Sequence, residues 1–261
     1  MIAAEKLTKA YHHKPVLRGI TFTARAGEIT LLVGPNGAGK STTMKVLTGL
    51  ARADGGEAII AGKNIVRETI AAQRLLSFLP QNPNFHPRFT CEQIVGFYAR
   101  LRGIDQRQRD AALDMVGLRE VAHEQTRTLS GGMSQRLGMA LLLLPNAPVL
   151  LLDEPGISLD PAWRRRLQII LHEEAHRGKT VLVTTHLIAE WNNVAHRCLL
   201  CRDGVIEREL DPANLADDVD KLEHSAAPAE TGLSRDRAAW TNASQPRENT
   251  FALRRGTTGR A

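Results

Sequence analysis

Eight consecutive residues carry the strongest chemical signal in the sequence. The segment Gly34-Pro35-Asn36-Gly37-Ala38-Gly39-Lys40-Ser41 fits the pattern G-x-x-x-x-G-K-[ST] in full. An apolar run, Ile29 to Val33, comes directly before it, and a run compatible with a helix, Thr42 to Leu50, follows it. A strand, a glycine-rich loop and a helix in this order predict a phosphate-binding loop, in which backbone N–H groups point at phosphate oxygens.

The last residues of this segment supply the charged and metal-binding groups. We expect Lys40 to reach the β- and γ-phosphates of a nucleotide and Ser41 to ligate Mg²⁺, with Thr42 beside them at the start of the helix. The alternative is a glycine-rich turn that carries a lysine by chance. The flanking strand and helix signals argue against that alternative.

A second constellation of motifs is spread over the remainder of the chain. An apolar run from Val149 to Leu152 leads into Asp153 and Glu154. A carboxylate at the end of a strand can hold Mg²⁺ through water, and its neighbour can orient and deprotonate an attacking water. Two solvated acids at a strand end are the simpler interpretation, but the buried run places them at an edge beside the phosphate loop.

Taken together and in order, the motifs resemble the ATPase subunits of ABC transporters, over about residues 2 to 210, and the overall pattern is most similar to exporter-type ATPases that pair with a separately encoded permease. The matching stretches are Tyr11, the phosphate loop, Gln81, Leu129-Ser130-Gly131-Gly132-Met133-Ser134-Gln135-Arg136, Asp153-Glu154-Pro155, Ser158-Leu159-Asp160 and Thr184-Thr185-His186. The resemblance implies that ATP and Mg²⁺ are the cofactors.

The resemblance also assigns roles to individual residues. Glu154 would be the general base, His186 would contact the γ-phosphate and hold the water, and Asp153 would bind Mg²⁺ with Ser41. Gln81 would sense the metal and the γ-phosphate. Tyr11 would stack on adenine; the alternative is that it packs at a strand end.

The segment Leu129, Ser130, Gly131, Gly132, Met133 is predicted to open a helix whose N-terminus can bind an anion. Alone it could be an ordinary helix cap. In the family this segment contacts the nucleotide of the other subunit, so that two subunits enclose two ATP molecules head to tail, and Asp160 would cross the same interface. The resemblance therefore implies a homodimer or a paired ATPase subunit.

Three positions depart from the family pattern. Met133 stands where the signature often has Gln, and Gly156-Ile157-Ser158 stands where Thr, a variable residue and Gly are usual. We expect ATP hydrolysis to survive because Lys40, Asp153, Glu154 and His186 are intact. The departures put the packing of the interface loop in question.

The fold class predicted is α/β, because strand and helix signals alternate along the chain, and the resemblance implies that it is the P-loop ABC-ATPase fold. A mostly parallel core sheet would carry an N-terminal antiparallel β-subdomain and a helical signature subdomain over about residues 82–146. Thr90, Asp105 and Ser130 are placed to cap its helices. A further helix is predicted from Leu187 to His196, and a terminal hairpin turns at Asp203-Gly204.

Residues 1–213 are predicted to form the ATPase domain and residues 214–261 a largely disordered tail, with one possible helix over Ala216 to Leu222. The formal net charge is +6, but six Arg against Asp236 and Glu248 lie after Thr231. The high pI therefore belongs mostly to the tail and is weak support for nucleic-acid binding. The tail either touches anionic lipid headgroups or is a solvated appendage.

The sequence shows no signal peptide and no apolar run near the roughly 20 residues that a spanning helix needs. We expect a cytoplasmic protein that binds peripherally to the inner face of the membrane. An integral membrane permease would dock on the helical subdomain near Phe85 to Tyr98. The alternatives are an ABC ATPase acting on nucleic acid or ribosomes, and a nucleotide-gated module without turnover.

Two metal-like patterns are interpreted as structural. Cys198 and Cys201 have C-x-x-C spacing, but in a strand residues three apart face opposite ways, so reduced and partly buried thiols are expected. His172-Glu173-Glu174-Ala175-His176 fits H-E-x-x-H on a predicted helix. We expect a charged outer helix there and no zinc, because no third ligand is evident.

Overall fold

The structure of the protein is a computed structural model that describes residues 1–215. It contains ten strands and six α-helices in this part of the chain. The strands are β1 (Ile2–Tyr11), β2 (Lys14–Ala24), β3 (Ile29–Val33), β4 (Gly55–Ile60), β5 (Lys63–Asn64), β6 (Leu76–Leu79), β7 (Val149–Asp153), β8 (Thr180–Thr184), β9 (Arg197–Arg202) and β10 (Val205–Leu210). The helices are α1 (Lys40–Leu47), α2 (Thr69–Arg74), α3 (Cys91–Arg102), α4 (Gln106–Met115), α5 (Gly131–Leu143) and α6 (Pro161–His176). The predicted tail helix lies outside the described residues.

The strands form two sheets. The larger sheet has the order β10-β9-β3-β8-β7-β6 and is parallel except for β10, which pairs antiparallel with β9. The smaller sheet has the order β2-β1-β4-β5 and is antiparallel. Every residue of β3, β7 and β8 is buried, as expected for central parallel strands covered on both faces.

Two apolar clusters lie on the two faces of the larger sheet. One joins the sheet to α3, α4, α5 and α6, and the other joins it to α1 and the smaller sheet. Cys198 belongs to the first cluster and Cys201 to the second, so the two thiols face opposite sides of the sheet, and both are buried. The prediction that these two thiols are buried and face opposite ways is confirmed.

The three predicted helix caps of the helical block are confirmed. Thr90 accepts from the N–H of Gln93, whose side chain in turn accepts from the Thr90 N–H, a complete capping box. Asp105 caps α4 by accepting from the N–H of Gln108, and Ser130 caps α5 by accepting from the N–H of Met133. The signature segment therefore begins a helix as predicted.

The predicted helix from Leu187 to His196 is wrong. The structure has only a short 3₁₀ turn, Ile188–Trp191, in this segment. Asn193 has a φ of 59°, in the left-handed region that interrupts a right-handed helix and that Asn tolerates better than most residues. The segment then leads into β9, and Nδ1 of His196 accepts from the N–H of Ile29 at the start of β3.

Candidate active site

The phosphate loop connects β3 to α1 and is fixed by close backbone contacts. A Cβ at Gly34 would lie 2.0 Å from the carbonyl oxygen of Cys201, so only glycine fits there. Gly39, with a φ of 107°, is the residue before α1 and again requires glycine. Ala38 is held by Cys201, whose thiol donates to its carbonyl at 3.1 Å. Burial raises the pKa of Cys201 to about 11, so the thiol stays protonated near neutral pH.

Lys40 is buried beneath this loop. Its Nζ donates to the carbonyl oxygens of Gly34 at 2.8 Å and Pro35 at 3.2 Å. Neutral carbonyl acceptors leave the ammonium charge uncompensated. The loop therefore holds a positive charge where the sequence predicts phosphate oxygens.

Asp153 ends β7 and is buried between two hydroxyl groups. Its Oδ1 accepts from the hydroxyl of Ser41 at 3.2 Å, and it also accepts a short hydrogen bond from the hydroxyl of Thr184. A hydroxyl and a carboxylate in contact are the hard oxygen donors that Mg²⁺ takes alongside nucleotide phosphates. The chemistry of Ser41 and Asp153 thus fits the predicted metal.

Glu154 follows Asp153 with a φ of 50°, which is uncommon for a residue with a side chain. Its N–H donates to both the carbonyl and the hydroxyl oxygen of Thr184 at 3.0 Å. Its buried carboxylate lies 2.8 Å, at Oε2, from Nδ1 of His186 and also accepts from the His186 N–H at 3.1 Å. His186, half-exposed, thereby fixes one carboxylate oxygen of Glu154.

One open cavity brings most of the predicted nucleotide and catalytic residues together. Its lining consists of Val16, Asn36, Gly37, Gly39, Lys40, Ser41, Thr42, Gln81 and Glu154. Gln81 comes just after β6, and Glu154 just after β7, so neighbouring parallel strands deliver both to the same edge of the sheet. This edge, next to the phosphate loop, is where an ion and a triphosphate can be held together.

Tyr11 lies at the end of β1 and is exposed to 40%. Nζ of Lys9 lies 5.4 Å from the centre of its ring. An exposed ring at this position is available to a planar base, but it does not line the cavity. Stacking of Tyr11 on adenine remains a prediction.

The signature segment lies at the start of α5, away from the cavity lining. Leu129 and Met133 are half-buried and pack against the apolar cluster that joins the larger sheet to helices α3 to α6. A Cβ at Gly132 would come within 2.9 Å of the carbonyl oxygen of Ser158, in the loop after β7, and a Cβ at Gly131 would lie 3.7 Å from the Ser158 side chain. Ser158, one of the residues that depart from the family pattern, therefore lies close to both signature glycines.

Asp160 has a local role that the sequence analysis did not foresee. Its Oδ1 accepts from the N–H of Trp163 at 3.0 Å and caps α6, with Pro161 in the first turn. The Trp163 ring lies 4.5 Å below the guanidinium of Arg136 on α5. The sequence D-P-A-W, read as an N-cap followed by proline, would have indicated this role.

Thr184 is the residue of the site to which the sequence analysis gave no role. It lies fully buried at the end of β8 and contacts both Asp153 and Glu154. A hydroxyl at the end of a strand that is otherwise apolar after Thr180 is the signal that could have drawn attention to it.

The histidines of the H-E-x-x-H pattern lie on the outer side of α6. The ring centres of His172 and His176 are 4.6 Å apart, and that of His196 lies 6.1 Å from His172. Within residues 1–215 no group of three or more His, Cys, Asp or Glu residues is arranged to hold a metal ion.

In the same part of the chain, no helix combines the length and the apolar character needed to cross a bilayer.

The sequence matches the ABC transporter family over residues 17–156, and the chain belongs to this family. It is 34% identical to the linearmycin resistance ATP-binding protein LnrL of Bacillus subtilis (strain 168) over 194 residues, which cover 73% of this chain and 62% of that protein. It is 35% identical to the Nod factor export ATP-binding protein I of Paraburkholderia xenovorans (strain LB400), over 78% of this chain and 68% of the relative. The chain thus spans about two thirds of the length of these relatives.

Solved structures confirm the predicted fold class. The dimeric post-hydrolysis structure of the ATP-binding cassette MJ0796 with ADP and Pi aligns with a TM-score of 0.74 and 26% identity, over 81% of this chain and 99% of that one. A bacterial Atm1-family ABC exporter with ATP bound aligns with a TM-score of 0.77 at 22% identity, over 88% of this chain and 42% of that one, and supports the fold alone. The chain is an ABC ATPase cassette of the kind found in transporters.

Proposed function

We propose that this protein hydrolyses ATP and uses the energy to power export by a partner membrane permease, with two cassettes closing around two ATP molecules. The observation that carries the proposal is the buried Glu154 carboxylate, held by His186 at 2.8 Å and lining one cavity with Lys40 and Ser41. The carboxylate that would act as base, the Lys40 ammonium group and the Ser41 hydroxyl that would bind metal therefore line the same cavity.

The chemistry follows from these positions. Lys40 and the N–H groups of the loop would bind the β- and γ-phosphates, and Ser41 and Asp153 would hold Mg²⁺, which neutralises charge on the phosphates. Glu154, with Oε2 engaged by His186, has its other carboxylate oxygen available to take a proton from water. Gln81, in the same cavity, would report the state of the nucleotide to the helical subdomain.

The second half of each site would come from another copy. The start of α5 presents first-turn N–H groups and the positive end of the helix dipole, which suit a γ-phosphate. The signature does not line the chain's own cavity, so an intrachain role in nucleotide binding has no support in the geometry. Leu129 to Met133, with Asp160, would therefore serve the nucleotide of the partner copy.

Mixing two inactive variants tests the shared site. Lys40→Ala removes the phosphate-binding cation, and Gly131→Asp places a carboxylate where the partner's γ-phosphate would lie. We expect each variant alone to lose ATPase activity. An equal mixture should recover about a quarter of the wild-type rate, because half the dimers keep one intact composite site. Ala111→Asp, on the exposed side of α4, is the control and should stay active. A mixture that stays inactive, although wild type is active and dimeric, would contradict the shared site.

The permease would dock in a groove between the sheet edge and the helical subdomain. Apolar side chains from both parts line it, including Leu50, Phe78, Phe85, Tyr98 and Leu141. Leu50 and Tyr98 are exposed to 67% and 44%, which is unusual for large apolar side chains and suits an apolar helix of a membrane protein. This groove includes both ends of the predicted Phe85 to Tyr98 docking segment.

Tyr98→Asp tests the docking. We expect the isolated variant to keep wild-type ATPase activity and to lose co-purification with membranes that contain its permease. Ile169→Asp, an exposed apolar position on α6 outside the groove, should leave both unchanged. Membrane binding that survives in Tyr98→Asp would place the permease elsewhere. Co-purification with nucleic acid instead would favour the alternative class of soluble ABC ATPases.

A further inference from the structure

The hydroxyl of Thr184 lies between the two acidic residues of the active site. Thr184 is the last residue of β8, is fully buried, and pairs directly with Asp153 across the sheet. Its position between β3 and β7 fixes the backbone on both sides, since β8 is hydrogen-bonded to both strands. The side chain therefore has little freedom to move away from the acids.

The hydrogen bonds of this hydroxyl go to both neighbours. Its single proton is donated to Oδ1 of Asp153, and its oxygen accepts from the N–H of Glu154 at 3.0 Å. A hydroxyl has one proton to donate, so the donor capacity of Thr184 is fully used on the Asp153 carboxylate. Ser41 donates to the same oxygen at 3.2 Å.

The two hydroxyl groups that donate to Asp153, those of Ser41 and Thr184, would have different roles once Mg²⁺ is bound. Ser41 is expected to become a ligand of Mg²⁺, whereas Thr184 is fully buried and its hydroxyl is hydrogen-bonded to both Asp153 and Glu154. Thr184 is therefore the donor that can keep Asp153 oriented when Ser41 turns to the metal. The hydroxyl oxygen of Thr184 also accepts from the N–H of Glu154. The φ of Glu154 is 50°, a strained conformation that persists only when surrounding contacts stabilise it.

We propose that Thr184 is a positioning residue for ATP hydrolysis: its hydroxyl holds the Asp153 carboxylate for Mg²⁺ and the backbone of Glu154 for its role as base. The proposal rests on the proposed ATPase function and deepens it. Valine has nearly the shape of threonine without the hydroxyl, so Thr184→Val removes these hydrogen bonds and leaves the strand packing in place. Serine restores the hydroxyl.

A matched control lies at the other end of the same strand. Thr180 is also fully buried, and among the described residues its hydroxyl has no hydrogen-bond partner. Thr180→Val therefore makes the same chemical change in β8 without removing a contact to the acids. We expect this control to behave as wild type.

Two measurements on the full chain test the proposal. The first is the Mg²⁺ concentration that gives half the thermal stabilisation by ATP, a binding measurement that needs no turnover. The second is kcat for ATP hydrolysis at saturating Mg²⁺. In Thr184→Val we expect the required Mg²⁺ concentration to rise and kcat to fall by about tenfold each, the scale of one hydrogen bond to a charged group. Thr184→Ser should recover most of both.

Several outcomes would overturn the assignment. Thr184→Val with an Mg²⁺ requirement and kcat like wild type would show that the hydroxyl positions nothing. Equal losses in Thr184→Val and Thr184→Ser, or in Thr180→Val, would show that β8 is only sensitive to packing. A wild-type protein that binds Mg²⁺ and ATP but does not hydrolyse ATP would contradict the proposed function, and the Mg²⁺ titration would still decide the role of Thr184.

Discussion

The carboxyl ends of β7 and β8 and the amino end of α5 both offer polar groups to a nucleotide, but the groups are held in different ways. At the strand ends, Asp153 and Glu154 are buried and hydrogen-bonded to Thr184, Ser41 and His186 of the same chain. At the helix end, the Ser130 side chain accepts from one first-turn N–H, and both Ser130 and Gly131 are exposed. The polar groups of the first region are held within one chain, whereas those of the second are exposed, as the proposed contact with a partner copy requires. Hydrolysis should therefore depend on both, and stability mainly on the first.

Replacing the proposed base should have the largest effect, because it removes ATP hydrolysis without preventing formation of the ATP-bound dimer. Glu154→Gln keeps the size and hydrogen bonding of the side chain but cannot take a proton from water. We expect ATP hydrolysis to fall at least about 100-fold, while ATP binding survives and an ATP-bound dimer accumulates. Activity assays with size-exclusion chromatography in ATP check this. Glu173→Gln on the exposed side of α6 is the control, and normal hydrolysis by Glu154→Gln would refute the assigned base.

A substitution in the phosphate loop, beside the first region, measures how tightly the loop packs against β9. In Gly34→Ala the new Cβ would lie 2.0 Å from the Cys201 carbonyl, and the φ of 145° disfavours any side chain. We expect the free energy of unfolding to drop by about 3 kcal/mol or more. Gly37→Ala also has a positive φ, 84°, but its Cβ would meet nothing within 4 Å, so its loss should be about 1 kcal/mol. Denaturant titration compares the two, and equal losses would show that the contact with β9 is not limiting.

Asp160 caps α6 in its own chain and would also act across the proposed dimer interface, and two substitutions can distinguish these roles. Asp160→Ala removes the cap of α6 and should cost about 1 kcal/mol of stability. Asp160→Asn keeps an acceptor for the Trp163 N–H, so its stability should stay near that of wild type. If the charge of Asp160 acts across the dimer, the asparagine variant will still lose ATPase activity. Full activity in Asp160→Asn would limit this residue to its local role.

The smallest expected effect concerns the start of β3. Burial, and then the nearby His172, lower the pKa of His196, with Glu28 opposing and His176 adding to the shift. The unfolded chain therefore binds a proton more readily than the folded one, and stability should decline as pH falls below about 6.5. His196→Asn can still accept from the Ile29 N–H but does not titrate. Its unfolding free energy should depend less on pH between 7 and 5.5, and an unchanged slope would contradict this.

Local sequence rules were sufficient for several features of the fold. The caps Thr90, Asp105 and Ser130 depend on residues three positions apart, so the sequence contains both partners of each interaction. The buried strands β3, β7 and β8 are apolar runs, and such runs predict central parallel strands. Where the interaction that determines a local structure joins residues close together in the sequence, composition and spacing predict that structure.

Features that depend on tertiary contacts were not predictable in this way. The link from Thr184 to Asp153 joins residues 31 positions apart, and the close approach of Ser158 to Gly132 joins the loop after β7 to the first turn of α5. The helix predicted after Leu187 is replaced by a turn because Asn193 adopts a left-handed conformation and the chain enters β9. Local helix preference was overridden there by the sheet that the segment must join.

The opposite orientation of the two thiols in β9 has a practical consequence for studying assembly. Cys198 and Cys201 are separated by the sheet itself, and all three cysteines of the chain are buried. Burial also raises the pKa of Cys91, which further reduces its reactivity. A cysteine introduced on the surface would therefore be the fast-reacting position on the native background. Spin labels or fluorophores attached there can report the distance between two copies as ATP is added.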